Sequence, residues 1–194
     1  MTSERLPLTL RAINGLAMIC ALAAGVAVAA LAVLIMIDIV GRSVGRSIQG
    51  TDELGGYVLA FCGSLGLSWA LINRGHPRID LGFRFFPPKL RNLLHIAAQA
   101  TMFLFALFMT WHAVAELQTT LKFGAVTNTP LQTPLWLPQS LWVFGLMLFT
   151  LTALSGTLHG IWLMSRDPDA VTRRYGPPTV EEEVGEYVGP AKEI

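Results

Sequence analysis

The chain has 194 residues, of which 53% are hydrophobic and only 14% are charged, whereas a typical soluble domain has about 25% charged residues. This composition argues against a soluble fold, and a net charge of +1 gives no electrostatic basis for nucleic-acid binding. The two cysteines, Cys20 and Cys62, lie inside long uncharged stretches. We therefore interpret them as packing residues rather than as a disulfide or a metal site.

Four uncharged stretches are each long enough to cross the hydrocarbon core of a bilayer, which takes about 20 apolar residues in a helix. Each crossing should be helical because lipid cannot hydrogen-bond an exposed backbone. We therefore predict an all-α, polytopic integral membrane protein with a four-helix transmembrane domain at residues 12–164. Its helices are expected at about residues 12–42, 53–73, 90–118 and 137–164. The first should be retained, since its apolar run far exceeds the roughly 7–15 residues of a signal peptide.

Positively charged residues are distributed unevenly among the connecting segments. Most of the Lys and Arg residues lie in the two tails and in the loop between the second and third helices. Cytoplasmic loops are enriched in Lys and Arg, so both termini should be cytoplasmic, and loops 43–51 and 116–136 should face the periplasm or exterior. Residues 1–11 then form a cytoplasmic N-terminal tail. The proline-containing tail at 165–194 should be cytoplasmic and mostly disordered, with room for a short helix at about 179–187.

Ionisable residues near the ends of the membrane helices are candidate functional residues because charge is costly at membrane depth. Asp38 and Arg42 lie four residues apart, so they can pair on one helix face. Either they satisfy each other or one of them reaches a neighbouring subunit. Asp52 and Glu53 follow Thr51, which we expect to cap the second helix, and acids in a first turn favour the helix dipole.

Two histidines suggest a haem site. His95 and His159 are predicted near the cytoplasmic ends of adjacent helices, where a pair of histidines can ligate a b-type haem. The alternative is that both are ordinary interfacial or hydrogen-bonded histidines, and in that case no cofactor is expected. The sequence contains no nucleophile–base pair, phosphate-binding loop or metal-ligand cluster, so we predict that the chain is not an enzyme.

The order of several short motifs resembles the small membrane subunit of tripartite ATP-independent periplasmic (TRAP) transporters, the DctQ type. Each motif is weak alone, but their order on a four-helix chain is more specific. The motifs are Arg42 at the end of the first helix, Glu53 at the start of the second with Gly63 and Gly66 after it, the turn Gly75-His76-x-x-Ile79-Asp80, Pro87-Pro88 with Arg91 before the third helix, and Thr133-Pro134-x-Trp136 before the fourth.

The resemblance implies a scaffold subunit in the bacterial inner membrane, surrounded by membrane lipids. Its partners would be a large membrane subunit, which carries an organic acid such as a dicarboxylate together with sodium, and a periplasmic solute-binding protein. By this likeness the chain binds no substrate itself. Asp38, Arg42, Glu53, His76 and Asp80 are then candidate subunit-interface or structural polar residues.

Small residues provide a candidate packing surface, because they allow membrane helices to approach closely. The alanine-rich run at 21–32 and Gly63-x-x-Gly66 are expected to pack against the partner or within the four helices. Two other functions remain open, a haem-b membrane anchor of an oxidoreductase and a self-assembling small membrane protein.

Overall fold

The structure is a computed structural model that describes residues 8–75 and 86–176. Over those residues the chain forms five α-helices and no strand, and four of the helices are long and apolar enough to cross a membrane. The predicted all-α fold with four spans is therefore confirmed. The helices are α1 (Leu8–Ser43), α2 (Thr51–Ile72), α3 (Pro88–Phe123), α4 (Trp136–Arg166) and α5 (Pro168–Tyr175).

Three of the spans, α1, α3 and α4, are longer than the hydrocarbon core of a bilayer requires. Helices α1 and α3 have 36 residues each, which corresponds to about 54 Å at about 1.5 Å per residue. α3 begins at Pro88, whose missing N–H costs nothing in a first turn. It continues past the predicted end to Phe123 and stops where Gly124 adopts a left-handed φ of 59°. That conformation suits glycine, so α3 ends where the sequence provides a glycine C-cap.

Helix α4 is the centre of the bundle. It contacts all four other helices, whereas α1 packs mainly on α2. Half of the most apolar window of α4 is buried, compared with 11% of that of α1. The apolar core is built around α4 in successive clusters, in which Phe149 and Ala153 meet Ala106 of α3 and Leu71 of α2. The resulting lateral order is α1, α2, α4, α3.

Close helix contact inside the bundle depends on glycines of α4. A Cβ atom added to Gly145 would lie 2.3 Å from Ser64 Oγ, and one added to Gly156 would lie 2.6 Å from Gln99 Nε2. At Gly63 and Gly66, by contrast, an added Cβ would meet nothing within 4 Å. Of the two packing roles expected for Gly63-x-x-Gly66, the internal one is therefore not observed.

The chain continues beyond the fourth span into α5. Asp167 caps this helix by accepting hydrogen bonds from the N–H groups of Asp169 and Ala170 at 3.1 and 3.2 Å. Ala170 and Val171 are buried against Ile96 and Leu163. The tail at 165–194, which was expected to be mostly disordered, thus begins with a helix at Pro168–Tyr175. The segment predicted as a short helix at 179–187 lies outside the described residues.

Candidate functional site

Asp38 organises the connection between α1 and α2. Its Oδ2 atom accepts hydrogen bonds from Arg42, with distances of 2.9 Å to Nε and 2.7 Å to Nη2. Its Oδ1 atom accepts the backbone N–H of Ile48 at 2.7 Å and the Ser47 hydroxyl at 3.3 Å. Asp38 is only 2% exposed. A buried carboxylate with four donors is electrostatically satisfied, so it fixes the loop relative to the end of α1.

Arg42 differs from its partner in exposure. Its side chain is 55% exposed, while that of Asp38 is 3% exposed. The pair predicted from the i, i+4 spacing is therefore present, and one member of it also offers a cationic surface. Both alternatives for this pair, local satisfaction and contact with a neighbouring subunit, are compatible with its geometry.

Two replacements of Asp38 distinguish its ion pair with Arg42 from its hydrogen bond with the Ile48 N–H. Asp38→Asn removes the charge but keeps an oxygen for the Ile48 N–H, whereas Asp38→Leu removes both acceptors and leaves Arg42 beside an apolar group. We expect thermal unfolding in detergent to occur at a lower temperature for the asparagine variant and at a still lower one for the leucine variant. Ser47→Ala, which removes only the longest of the four contacts, serves as the control and should change little. Equal unfolding temperatures for Asn and Leu would show that the Ile48 contact contributes nothing.

Glu53 fastens the other connection at this end of the bundle. Its carboxylate accepts hydrogen bonds from Thr127 Oγ1 at 3.0 Å, from Thr129 Oγ1 and from the Tyr57 hydroxyl. Two of these donors lie more than seventy residues away in the loop between α3 and α4. Thus an acid in the first turn of α2 holds a distant loop, in addition to any favourable interaction with the helix dipole.

The loop between α3 and α4 has its own backbone closure. Thr127 N donates to Thr133 O and Leu135 N donates to Ala125 O, both at 3.1 Å. An isolated antiparallel bridge joins Val126 to Pro134. These bonds bring the two ends of the loop together, so its threonine hydroxyls are presented to Glu53 from a preformed turn.

The two connections meet across a cleft of about 350 Å³ whose lining includes Arg42, Ile48, Gly50, Glu53 and Thr129. Gly50 has a left-handed φ of 87° and faces the side chain of Leu131 so closely that an added Cβ would lie 1.5 Å from its Cδ1 atom. Arg42 and Glu53, which lie on different helices, therefore share one polar face at this end of the molecule.

One predicted local role is corrected. Thr51 was expected to cap α2, but Gly50 occupies the cap position and no side chain caps the helix. Thr51 is the first helical residue, and its hydroxyl donates instead to Ile48 O at 3.1 Å. The left-handed conformation required at the cap explains why glycine precedes the threonine. The remaining predicted site residues, His76 and Asp80, lie outside the described residues.

The two histidines considered as haem ligands lie in different surroundings. His95 is buried on α3 at 3% exposure. His159 Nδ1 lies 2.8 Å from the Tyr175 hydroxyl, and its ring stacks on Trp162 at a centroid distance of 5.8 Å. Burial raises the pKa of Tyr175 to about 12, so its hydroxyl stays neutral at physiological pH. His159 therefore takes part in the contact between α4 and α5, an account that requires no haem.

Within residues 8–75 and 86–176, no three His, Cys, Asp or Glu side chains come together as a metal site. Cys20 and Cys62 are free thiols that belong to one apolar cluster, in which Cys62 Sγ lies 3.2 Å from Ala24 O. Their interpretation as packing residues matches this placement.

At this end of the four-span bundle, the carboxylates of Asp38 and Glu53 each hold one interhelical loop through hydrogen bonds. The family model described as "Tripartite ATP-independent periplasmic transporters, DctQ component" matches residues 31–161, more than half of the chain. The chain belongs to the DctQ family. Comparison with curated proteins and with solved structures gives no match.

Membership of the DctQ family makes the chain a multi-pass membrane component of a TRAP transporter and confirms the resemblance predicted from its motifs. The matched range contains Asp38, Arg42, Glu53 and both loops that they organise, whereas α5 lies beyond it. Sequence reasoning missed Thr127 and Thr129 as partners of Glu53. Their only signal is a polar Thr-Asn-Thr run in a loop that returns to the same membrane face as Glu53.

Proposed function

We propose that this chain is the scaffold subunit of a sodium-coupled TRAP transporter that imports organic acids across the bacterial inner membrane. Its direct partner would be the large membrane subunit, and a periplasmic solute-binding protein would deliver the substrate to the assembled complex. Sodium and substrate would pass through the large subunit, so that this chain contributes neither a catalytic residue nor a substrate ligand.

The internal satisfaction of Asp38 and Glu53 supports a scaffold role most directly. Acids at membrane depth are candidates for ion or substrate binding, yet both are held by donors of the same chain at one end of the bundle. A protein that transported the solute itself would instead be expected to have polar groups near the membrane midplane. These two acids support structure rather than transport.

The outer faces of α1 and α2 provide a surface for a partner. Met18, Leu22 and Val26 of α1 are each more than half exposed. Gly25 and Gly63 have open space beside them, and they lie at similar depth because their neighbours Ala24 and Cys62 are in contact. An apolar face with shallow notches suits close packing against another membrane helix, and we assign it to the large subunit.

Co-purification tests the proposed function. The tagged chain is extracted from its native membrane in mild detergent, and the accompanying proteins are identified by mass spectrometry. We expect one much larger polytopic membrane protein in roughly equal amount. Recovery of the chain alone would contradict the scaffold role and favour self-assembly, and recovery with redox subunits and a Soret absorbance band would favour the haem anchor.

Arg42 is predicted to take part in assembly. Arg42→Glu places a second acid beside the buried Asp38 and reverses the charge on the exposed face, so we expect severalfold less large subunit in the co-purified material. Arg46→Glu is the matched control, because it makes the same charge change at an exposed arginine in the loop after α1, outside the Asp38 pair. Assembly that survives Arg42→Glu would limit Arg42 to its local pair. Equal loss in both variants would indicate a nonspecific effect of negative charge.

A further inference from the structure

A polar cavity lies at the opposite end of the bundle, where α5 covers the ends of the spans. It has a volume of about 50 Å³, enough for a few water molecules or one compact polar group, since a single water needs about 10–15 Å³ on the same measure. Helices α1 and α2 reach it through residues near their ends, whereas α3 and α4 reach it through residues within the helix, Gln99 in α3 and Thr152, Ser155 and Gly156 in α4. The polar lining residues are Asn14, Arg74, Gln99, Thr152, Ser155 and Arg174.

Gln99 is the most informative of these residues. It is 5% exposed on α3, and its amide lies over Gly156, where a Cβ would come within 2.6 Å of Nε2. No hydrogen bond among the described residues involves the Gln99 side chain, which lines the cavity. Its amide can therefore hydrogen-bond a polar occupant of the cavity.

Two arginines line the cavity. Arg74 follows α2 in a left-handed conformation with φ 57°, and its Nη2 atom donates to Arg173 O at 2.5 Å, so the end of α5 positions its guanidinium group. Arg174 lines the cavity from α5 itself. None of the described lining residues is acidic. Paired guanidinium groups with amide and hydroxyl groups beside them are suited to the oxygens of a phosphate group.

We propose that this cavity binds a phosphate group, carried either by the headgroup of an anionic phospholipid or by free inorganic phosphate. The cavity lies beside Ile72 at the end of α2 and beneath α5, at the depth where the shortest of the four spans ends. Basic pockets between membrane helices at this depth are suited to anionic headgroups. The cavity includes residues of α5, which lie beyond the range matched by the DctQ model, and the proposal does not depend on the transporter role.

The first experiment measures binding to the purified full-length chain in detergent. Native mass spectrometry follows the retention of added phosphatidylglycerol and of phosphatidylcholine, and calorimetric titration measures inorganic phosphate binding. Preferential retention of phosphatidylglycerol without phosphate binding identifies a lipid site, and measurable phosphate binding identifies a free-anion site. Equal retention of the two lipids together with no phosphate binding would overturn the proposal.

Variants locate the site. Arg174→Gln and Gln99→Leu should each weaken the observed binding about tenfold or more, the effect of losing one hydrogen bond to a charged group. Arg166→Gln is the control, because this arginine lies at the same end of the bundle but stacks on Trp162 at 4.9 Å. It should change binding less than about twofold. Equal weakening by Arg166→Gln and Arg174→Gln would show general charge attraction and contradict the proposed cavity.

Gln99→Leu replaces a buried residue, so a loss of binding by this variant can also result from a loss of stability. Arg174 is exposed, and its replacement disturbs no buried group. Thermal unfolding without ligand should therefore be unchanged for Arg174→Gln. A loss of binding by this variant at unchanged unfolding temperature supports the site, and retained binding contradicts it whatever the leucine variant does.

Discussion

Gly145→Val is expected to destabilise the isolated chain by about 1–3 kcal/mol, the usual cost of overpacking a well-packed interior. A Cβ at this position would lie 2.3 Å from Ser64 Oγ, 2.7 Å from Ser64 Cβ and 3.0 Å from the Ser64 carbonyl carbon. One of these contacts involves the backbone, so rotation of the serine side chain cannot relieve the overlap. Helices α2 and α4 must move apart, which loosens the apolar contacts on both sides of the crossing.

The comparison that tests this expectation is Gly63→Val, the same replacement on a membrane helix where an added Cβ meets nothing within 4 Å. Thermal unfolding of both variants in one detergent should show a clear loss for Gly145→Val and little change for Gly63→Val. Adding Ser64→Gly to Gly145→Ala should recover part of the loss, because the two positions are in direct contact and their effects should not add. Equal destabilisation at both glycines would contradict a specific α2–α4 approach.

Glu53→Leu is expected to release the loop between α3 and α4 from α2. The replacement removes the acceptor for Thr127, Thr129 and Tyr57 together. Hydrogen exchange of loop residues 125–135 should become about tenfold faster or more, since hydrogen bonds to a charged group are among the stronger ones in proteins. Mass spectrometry of proteolytic peptides reports this exchange directly.

Two further variants determine what the charge contributes. Glu53→Gln retains one acceptor oxygen, so its exchange rate should lie between those of the original chain and Glu53→Leu. Asp52→Leu removes the neighbouring acid, whose residue is exposed, and should leave the loop protected. If the loop exchanged equally fast in the Asp52 and Glu53 variants, loss of helix-dipole stabilisation would be the better explanation.

The sequence predicted those features that depend on the length and polarity of continuous segments. An uncharged run long enough for the bilayer has to be a helix, so the four spans could be placed. The Asp38–Arg42 pair was also predictable, because spacing along one helix determines which side chains meet. Both inferences use local information only.

The missed features depend on contacts between distant segments. Gly63 and Gly145 are both helical glycines, but only Gly145 faces another helix closely, and a single sequence does not reveal helix rotation. Likewise, Glu53 contacts Thr127 only because the loop between α3 and α4 lies at the start of α2. Asp167 followed by Pro168 is a favourable helix start, but the sequence does not show that Val171 packs between Ile96 of α3 and Leu163 of α4.

The two ends of the bundle also differ in when they can be completed during biosynthesis. Every residue that joins Glu53 to its loop has been synthesised before α4 begins at Trp136. At the other end, the contacts of Arg74 with Arg173 and of Asn92 with Pro168 wait for α5, the last described helix. The contacts of Glu53 with its loop can therefore form before the fourth span has been synthesised. The contacts of α5 can form only after all four spans have been synthesised.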